Sequence, residues 1–328
     1  MNIKIRAIET EYPENIVNNE FYINHFKEQG KDIHRLLEAF GRKERRIVNN
    51  DTDTTLSMGI QASLKVLESA NLKGEDIDLI IFSSQFPEYI CPTQALIVHN
   101  AVKGKNDTIV MDLNVNCLGM LVTLDTASRQ LLQNKKLKRA LIIGSDYASI
   151  HMKRSDELCY PMFADAACAM ILEKTDEECG FIDSDYFTDS KKYSAVMYPQ
   201  CGSSSYYKDT TSYDDMKFGW SECDDDVIDI AVNSINKLLK DNNLNISDIS
   251  AFCLSQFALP IINGCIDRLR LDSEKVIFVG DKFGYTGTSS PLMAFNDGVK
   301  SGKIKRGDYV VFWSIAATRT ACSVLYQY

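Results

Sequence analysis

The chain has 328 residues, 45% hydrophobic and 25% charged, with a formal net charge of −9; this is the composition of a globular protein, long enough for two domains or one large α/β unit, and it argues against broad affinity for nucleic acid or anionic membranes. No apolar run approaches the ~18 residues of a membrane span, and the start, Met1-Asn2-Ile3-Lys4-Ile5-Arg6, has no signal-peptide core. Ten scattered cysteines without a C-x-x-C pair fit reduced thiols in the cytoplasm, and His25, His34, His99 and His151 lack metal-ligand spacing, so no tightly bound cofactor or metal is expected.

In chain order, residues 3–10 alternate as a strand and Tyr12-Pro13-Glu14-Asn15 reads as a turn. Residues 18–46 read as mostly helical and end in Arg42-Lys43-Glu44-Arg45-Arg46, a solvated face or a local phosphate contact. Residues 53–72 form an amphipathic helix with a Thr/Asp cap. Residues 78–84 are a buried strand running into the loop Gln85-Phe86-Pro87-Glu88-Tyr89, and Pro92 opens the next helix. Residues 108–111 read as another buried strand, 121–132 as a helix, and 140–146 as a strand; 162–172 is a turn of small residues leading into one more.

Between the strand ending at Met111 and the helix from Leu121 lies Asp112-Leu113-Asn114-Val115-Asn116-Cys117-Leu118-Gly119-Met120. Cys117 thus stands where a strand turns into a helix. Free N–H groups and the helix dipole there favour negative charge, so a cysteine in that place gains thiolate character and its own N–H can face an oxyanion. A buried, inert cysteine is the competing reading.

The second half of the chain repeats the first. Residues 72–86 (LKGEDIDLIIFSSQF) resemble residues 244–257 (LNISDISAFCLSQF), which places two Ser-Gln-Phe triplets 171 positions apart. Residues 137–145 are answered by 305–314 at a similar offset. Two α/β halves follow, 1–173 with the nucleophile and 174–328, each expected to hold a parallel sheet with crossover helices.

On these motifs the chain resembles the thiolase superfamily, and within it β-ketoacyl-ACP synthase III. The segment around Cys117 is similar to that family's nucleophile motif. Leu141-Ile142-Ile143-Gly144-Ser145-Asp146 is similar to its following strand, and Phe163-Ala164-Asp165-Ala166-Ala167-Cys168-Ala169 to its F-G-D-G-A-G-A segment. Gly284-Tyr285-Thr286-Gly287-Thr288-Ser289-Ser290-Pro291 resembles its G-N-T segment, and residues 303–325 its last strands. The resemblance implies a five-layered α-β-α-β-α thiolase fold and a homodimer or a heterodimer with a related synthase. It also implies an acyl-thioester on Cys117, drawn from acyl-CoA or acyl carrier protein in fatty acid or secondary metabolite biosynthesis.

The resemblance also exposes departures. The family's catalytic histidine falls on Ser255 and its asparagine on Tyr285, and the last histidine of the chain is His151. Both side chains can donate a hydrogen bond, but tyrosine is larger and fills space a malonyl group needs. Acyl loading is therefore expected, and efficient decarboxylative condensation is doubtful. The second oxyanion N–H of the family falls on Ala316, within Ser314-Ile315-Ala316-Ala317-Thr318. The family's carrier-docking positions carry Pro260, Asp267 and Arg268, preceded by the acidic Asp224, Asp225, Asp226 and Asp229; Arg268, Arg270, Lys282 and 303–306 are alternative basic contacts. At its CoA clamp stand Arg35 and Ala39. Glu88 and Cys91 lie in the loop that reaches the partner's acyl pocket in the family, where the small Cys91 lengthens the tunnel or simply packs. His151 approaches a cleft or sits on the surface, and residues 206–220 form a lid or a surface insertion. Three functions compete: an acyltransferase of the synthase III type, a non-catalytic partner subunit of a synthase, and a cysteine hydrolase. The last needs a downstream histidine that the chain lacks.

Overall fold

The computed structural model describes residues 1–221, 226–317 and 319–328. The first half runs β1 (Asn2–Glu11), β2 (Ile16–Asn18), α1 (Asn19–Glu28), α2 (His34–Ala39), β3 (Glu44–Arg46), α3 (Thr55–Ala70), β4 (Leu79–Ser83), α4 (Gln94–Val102), β5 (Ile109–Leu113), α5 (Gly119–Gln133), β6 (Arg139–Tyr147) and β7 (Asp165–Thr175). The second runs β8 (Gly180–Thr188), β9 (Val196–Met197), β10 (Gly219–Trp220), α6 (Val227–Asp241), β11 (Ala251–Leu254), α7 (Leu259–Leu269), α8 (Gly280–Phe283), α9 (Ser290–Lys300), β12 (Tyr309–Ala316) and β13 (Thr320–Gln327).

Two large sheets result among the described residues, β1-β7-β6-β4-β5 and β8-β13-β12-β11, beside the two-stranded β2-β3 and β9-β10. Parallel pairs gather at one end of each sheet, β4 with β5 and β6, and β11 with β12. The remaining pairs, β1 with β7, β7 with β6, β12 with β13 and β13 with β8, are antiparallel; β6 and β7, like β12 and β13, follow one another without a crossover helix. The expectation of parallel sheets is corrected accordingly.

Alternation along the strands makes five layers. Leu79 and Ile81 of β4 face the same core as Val310 and Phe312 of β12, a core that also takes Leu121 and Leu124 of α5 and Leu292 and Phe295 of α9. The opposite residues of β4, Ile80 and Phe82, face α3 and α4. Those of β12, Val311 and Trp313, face α6 and α7. The central helices α5 and α9 are therefore wrapped by apolar surface on both sides, and their N-termini are where the two halves meet.

Local chemistry explains the remaining differences from the sequence reading. Thr54 and Ser57 form a capping box that starts α3. α4 starts at Gln94 rather than at Pro92, because the Asp112 carboxylate accepts the N–H groups of Gln94 and Ala95 at 2.7 and 2.8 Å. β5 is an edge strand and only partly buried, with Ile109 38% exposed. Residues 18–46 hold two short helices and then β3, which pairs with β2. The basic cluster is not a solvated face throughout. Arg42 and Arg45 are buried: Arg42, just ahead of β3, donates to the carbonyls of Gln256, Phe257 and Gly280 in the second half, and Arg45 of β3 to that of Pro161 in the first.

Candidate active site

β5 ends at Leu113, and Asn116 takes a left-handed φ of 53°, which asparagine tolerates better than most residues. This turn delivers Cys117 into one 3₁₀ turn, Asn116–Leu118, directly ahead of α5. Gly119 is required next: a Cβ there would lie 2.0 Å from Ser83 Oγ and 2.6 Å from Thr288 Oγ1. Thr288 Oγ1 accepts the Met120 N–H at 2.8 Å, so the second half caps the nucleophile's helix.

The sulfur of Cys117 has four polar neighbours. The peptide N–H groups of Ala317 and of Cys117 itself hydrogen-bond it, as does the Tyr285 phenol. The Cys117 S–H donates to Gln85 Oε1 at 3.3 Å. Even so, burial dominates, and with the nearby Asp146 charge it pushes the thiol up to about 11. The lowered value expected of a cysteine at a helix start is corrected here, because that start is roofed by protein.

Tyr285 is clamped by its backbone. Its N–H donates to the Met162 carbonyl and its carbonyl accepts the Ala164 N–H, both at 2.9 Å. The ring packs edge-on against Phe163 and Phe257, at 5.1 and 5.0 Å between centroids. Ser255, at the end of β11, hydrogen-bonds the phenol, while burial and Cys117 hold the phenol far from ionising. The structure thus brings Cys117, Tyr285 and Ser255 into one polar chain.

These three residues and Ala316 line a cavity of about 340 Å³, walled by Phe163, Phe218, Trp220, Phe257 and Trp313. Ala316 itself is still strand, paired with Thr320, and the N–H that reaches the sulfur is that of Ala317, the first turn residue beyond β12.

Asp146 was not singled out as a functional residue from sequence. It is buried at the end of β6 and accepts from Ser84 Oγ and the N–H groups of Gln85 and Phe86, at 2.8, 2.9 and 3.3 Å. It also accepts the Thr288 N–H at 2.9 Å, locking the two halves behind the sulfur. Burial raises its carboxyl to about 7 despite these donors. Gln85 was missed as well; the Ser-Gln-Phe repeat was the signal that could have found it.

Other expected residues lie elsewhere. His151 is partly buried outside the cavity lining, stacked on Phe86 at 4.7 Å with Nδ1 2.8 Å from the Tyr198 hydroxyl, and burial lowers it to about 4. Of residues 206–220, Phe218 and Trp220 line the cavity, whereas Tyr207 is 95% exposed. Glu88 and Cys91 sit on an exposed loop, and Arg35 and Ala39 are exposed on α2. At the cavity's outer wall Arg319 pairs with Asp226, and nearby Arg268 pairs with Asp229 at 2.7 Å. Asp224 and Asp225 lie outside the described residues. Among the described residues no cluster of metal-ligating side chains occurs, and no helix is long and apolar enough to cross a membrane.

Comparison with known proteins agrees with this geometry. Residues 111–190 match the family described as 3-Oxoacyl-[acyl-carrier-protein (ACP)] synthase III, and residues 239–328 match that family's C-terminal part. A β-ketoacyl-[acyl-carrier-protein] synthase III from Clostridium perfringens is 30% identical over 301 residues, 91% of each chain. One from Histophilus somni is 28% identical over 293 residues, 88% of each. The solved 3-oxoacyl-[acyl-carrier-protein] synthase III of Aquifex aeolicus shares the fold with a TM-score of 0.86 at 24% identity, over 100% of both chains.

Proposed function

Because the chain belongs to the 3-oxoacyl-[acyl-carrier-protein] synthase III family, and is an acyl-transferring enzyme of that condensing type, we propose that Cys117 carries the acyl group and that Tyr285 and Ser255 stand in for the family's asparagine and histidine. The observation that carries this reading is the sulfur of Cys117 at the foot of an apolar cavity with two peptide N–H groups and a phenol directed at it.

Cys117 attacks the carbonyl carbon of an acyl-CoA or acyl-carrier thioester. The oxyanion receives the N–H groups of Cys117 and Ala317, a preorganised pair of donors. Collapse expels the donor's thiolate, which takes the proton that Cys117 gives up. Proton and sulfur charge balance without a net base, so loading needs no histidine, and the Ser255–Tyr285 chain provides hydroxyls through which the proton passes. The acyl group then moves to an acceptor. The buried Tyr285 ring occupies space beside the sulfur, which disfavours a malonyl carbon nucleophile. A protein in the cytoplasm, paired with itself or a related synthase through the edge of β5 and the loop where Ile90 is 85% exposed, completes the proposal.

Intact-protein mass spectrometry of wild type and Cys117→Ala, each incubated with a panel of acyl-CoAs and acyl carrier proteins, tests it. An acyl adduct on wild type alone is expected. No adduct from any donor, with or without a candidate partner chain, would leave a non-catalytic partner subunit as the better account.

A further inference from the structure

We propose that Gln85 is a further catalytic side chain: its carboxamide hydrogen-bonds the Cys117 sulfur, as an acceptor to the resting thiol and as an N–H donor to the sulfur as it ionises and attacks. This rests on the acylation of Cys117 proposed above.

Three observations converge on the residue. First, it touches the reacting atom, Oε1 accepting the Cys117 S–H at 3.3 Å. Second, Gln85 is 6% exposed, and its Nε2 is buried without a hydrogen-bond partner among the described residues. An unpaired buried amide donor is costly, and it is unusual away from a site that uses it. Third, the repeat supplies an internal control. Gln256 stands 171 positions on, and its carboxamide is fully engaged: Nε2 donates to the Leu254 and Ile277 carbonyls, and Oε1 accepts the N–H groups of Val279 and Gly280. The same residue type is saturated in one half and holds a donor in reserve beside the nucleophile in the other.

The backbone keeps the carboxamide in reach of the sulfur. The Gln85 N–H is tied to Asp146 Oδ1 at 2.9 Å. Across from the amide stands Gly287 at φ 59°, where a Cβ would lie 2.8 Å from Nε2 and 2.4 Å from Asp146 Oδ2. A half-turn about the last side-chain torsion, a soft one, exchanges Oε1 and Nε2 and presents an N–H to the sulfur. Oxygen suits S–H; N–H suits a sulfur that is losing its proton.

The chemical step is the thioester exchange already described. One S–C bond forms at Cys117, the donor's C–S bond breaks, and the Cys117 proton ends on the departing thiolate. Besides Gln85, the groups at the sulfur are the Tyr285 phenol and the N–H groups of Cys117 and Ala317, and the Asp146 charge acts on it from farther off. Asp146 opposes ionisation of the thiol, and an N–H from Gln85 offsets it.

The test compares wild type, Gln85→Met and Gln85→Glu. Iodoacetamide alkylation is followed from pH 6 to 10, with the adduct located on the Cys117 peptide, and single-turnover acyl loading is measured alongside. Gln85→Met keeps the volume and removes the N–H. It is expected to slow alkylation about tenfold throughout that range, which lies below the thiol's midpoint, and to slow loading about tenfold to a hundredfold with little change in donor KM. An unchanged alkylation profile overturns the proposal. Gln85→Glu adds a carboxyl beside Asp146 and is expected to slow alkylation further; alkylation as fast as wild type across the range overturns the proposal even if the Met variant does not fold. Alkylation requires no acyl donor, so slowed alkylation supports the role of Gln85 even if no donor loads any variant, an outcome that would remove only the acyltransferase reading. Equal loading and alkylation in all three proteins would remove Gln85 alone.

Discussion

The two halves of the chain place related residues at the N-termini of the two central helices and use them differently. Cys117 precedes α5, and Thr288 precedes α9 at the same 171-residue offset that relates Gln85 to Gln256 and Ser84 to Ser255. Thr288 is wholly structural, its hydroxyl capping α5 and its N–H bound to Asp146. Ser84 is also structural, donating to the Asp146 carboxylate at 2.8 Å, while its counterpart Ser255 faces the Tyr285 phenol. The glutamines reverse the pattern: Gln256 is structural and Gln85 touches the nucleophile. Sheet topology accounts for that reversal. The first half has a fifth strand, β5, where the described residues of the second have only the isolated bridge between Phe252 and Val276. Gln256 makes up for the missing strand, its carboxamide binding the backbone of residues 277–280 much as a neighbouring strand would. With β5 present, Gln85 has no such task. A duplicated fold thus builds one site at its seam, each half freeing the residues its own sheet does not need.

Placing at positions 255 and 285 the histidine and asparagine that the proposed function assigns to the family breaks this division most severely. The double substitution Ser255→His with Tyr285→Asn replaces the phenol and gives back two donors to the malonyl side of the cavity. Decarboxylative condensation, measured as malonyl-dependent product, is expected to rise about a hundredfold over wild type. Tyr285 is 2% exposed, so the variant also loses about 3 kcal/mol of stability, seen as a lower melting temperature. A double variant that loads acyl groups normally yet condenses no faster would show that something other than the phenol limits the second step.

Asp146 tests the joint between the halves. Its folded-state carboxyl is raised to about 7, against roughly 3.9 in an unfolded chain. The folded state therefore binds the proton more tightly. The contribution is fully present below about pH 4 and is lost as pH rises through 7, at up to about 1.4 kcal/mol per pH unit. Asp146→Asn removes that titration. The melting temperature of wild type is expected to fall relative to the variant between pH 4 and 7, whatever the offset between them. Parallel curves across that window would mean the carboxyl stays ionised, held by its four donors.

Much of this was readable in advance, and the exceptions have physical causes. The strand–Cys117–helix turn and the Ser-Gln-Phe repeat follow from periodicity and from residue identities that local sequence carries, whereas the layer order came from the family resemblance alone. Burial of Arg42 and Arg45 does not, because it depends on carbonyls about 115 to 240 positions away. The thiol of Cys117 was expected low on the strength of the helix start, but long-range packing around the sulfur outweighs that local effect. The one-residue difference between Ala316 and Ala317 rests on where β12 leaves its ladder, a boundary that sequence seldom fixes closely. Ile109 reads as apolar core and lies at a sheet edge, since strand order is invisible in a single strand's composition.

The smallest expected effect isolates the extra strand itself. Asp112 pairs with Phe82 one residue before the ladder between β5 and β4 ends at Leu113, and its carboxylate caps α4 through Gln94 and Ala95. Asp112→Ala removes the cap and leaves strand pairing intact, so it should cost about 1 kcal/mol. That is a shift of a few degrees at most in melting temperature for a chain of this size. Alkylation of Cys117 should stay within about twofold of wild type, because the start of α5 is held from the other side by Thr288, Gly119 packs against Ser83, and none of these contacts involves α4. A large loss of Cys117 reactivity in Asp112→Ala would instead mean that β5 and α4 position the sulfur together, and that the difference between the halves reaches the nucleophile through the strand rather than through Gln85.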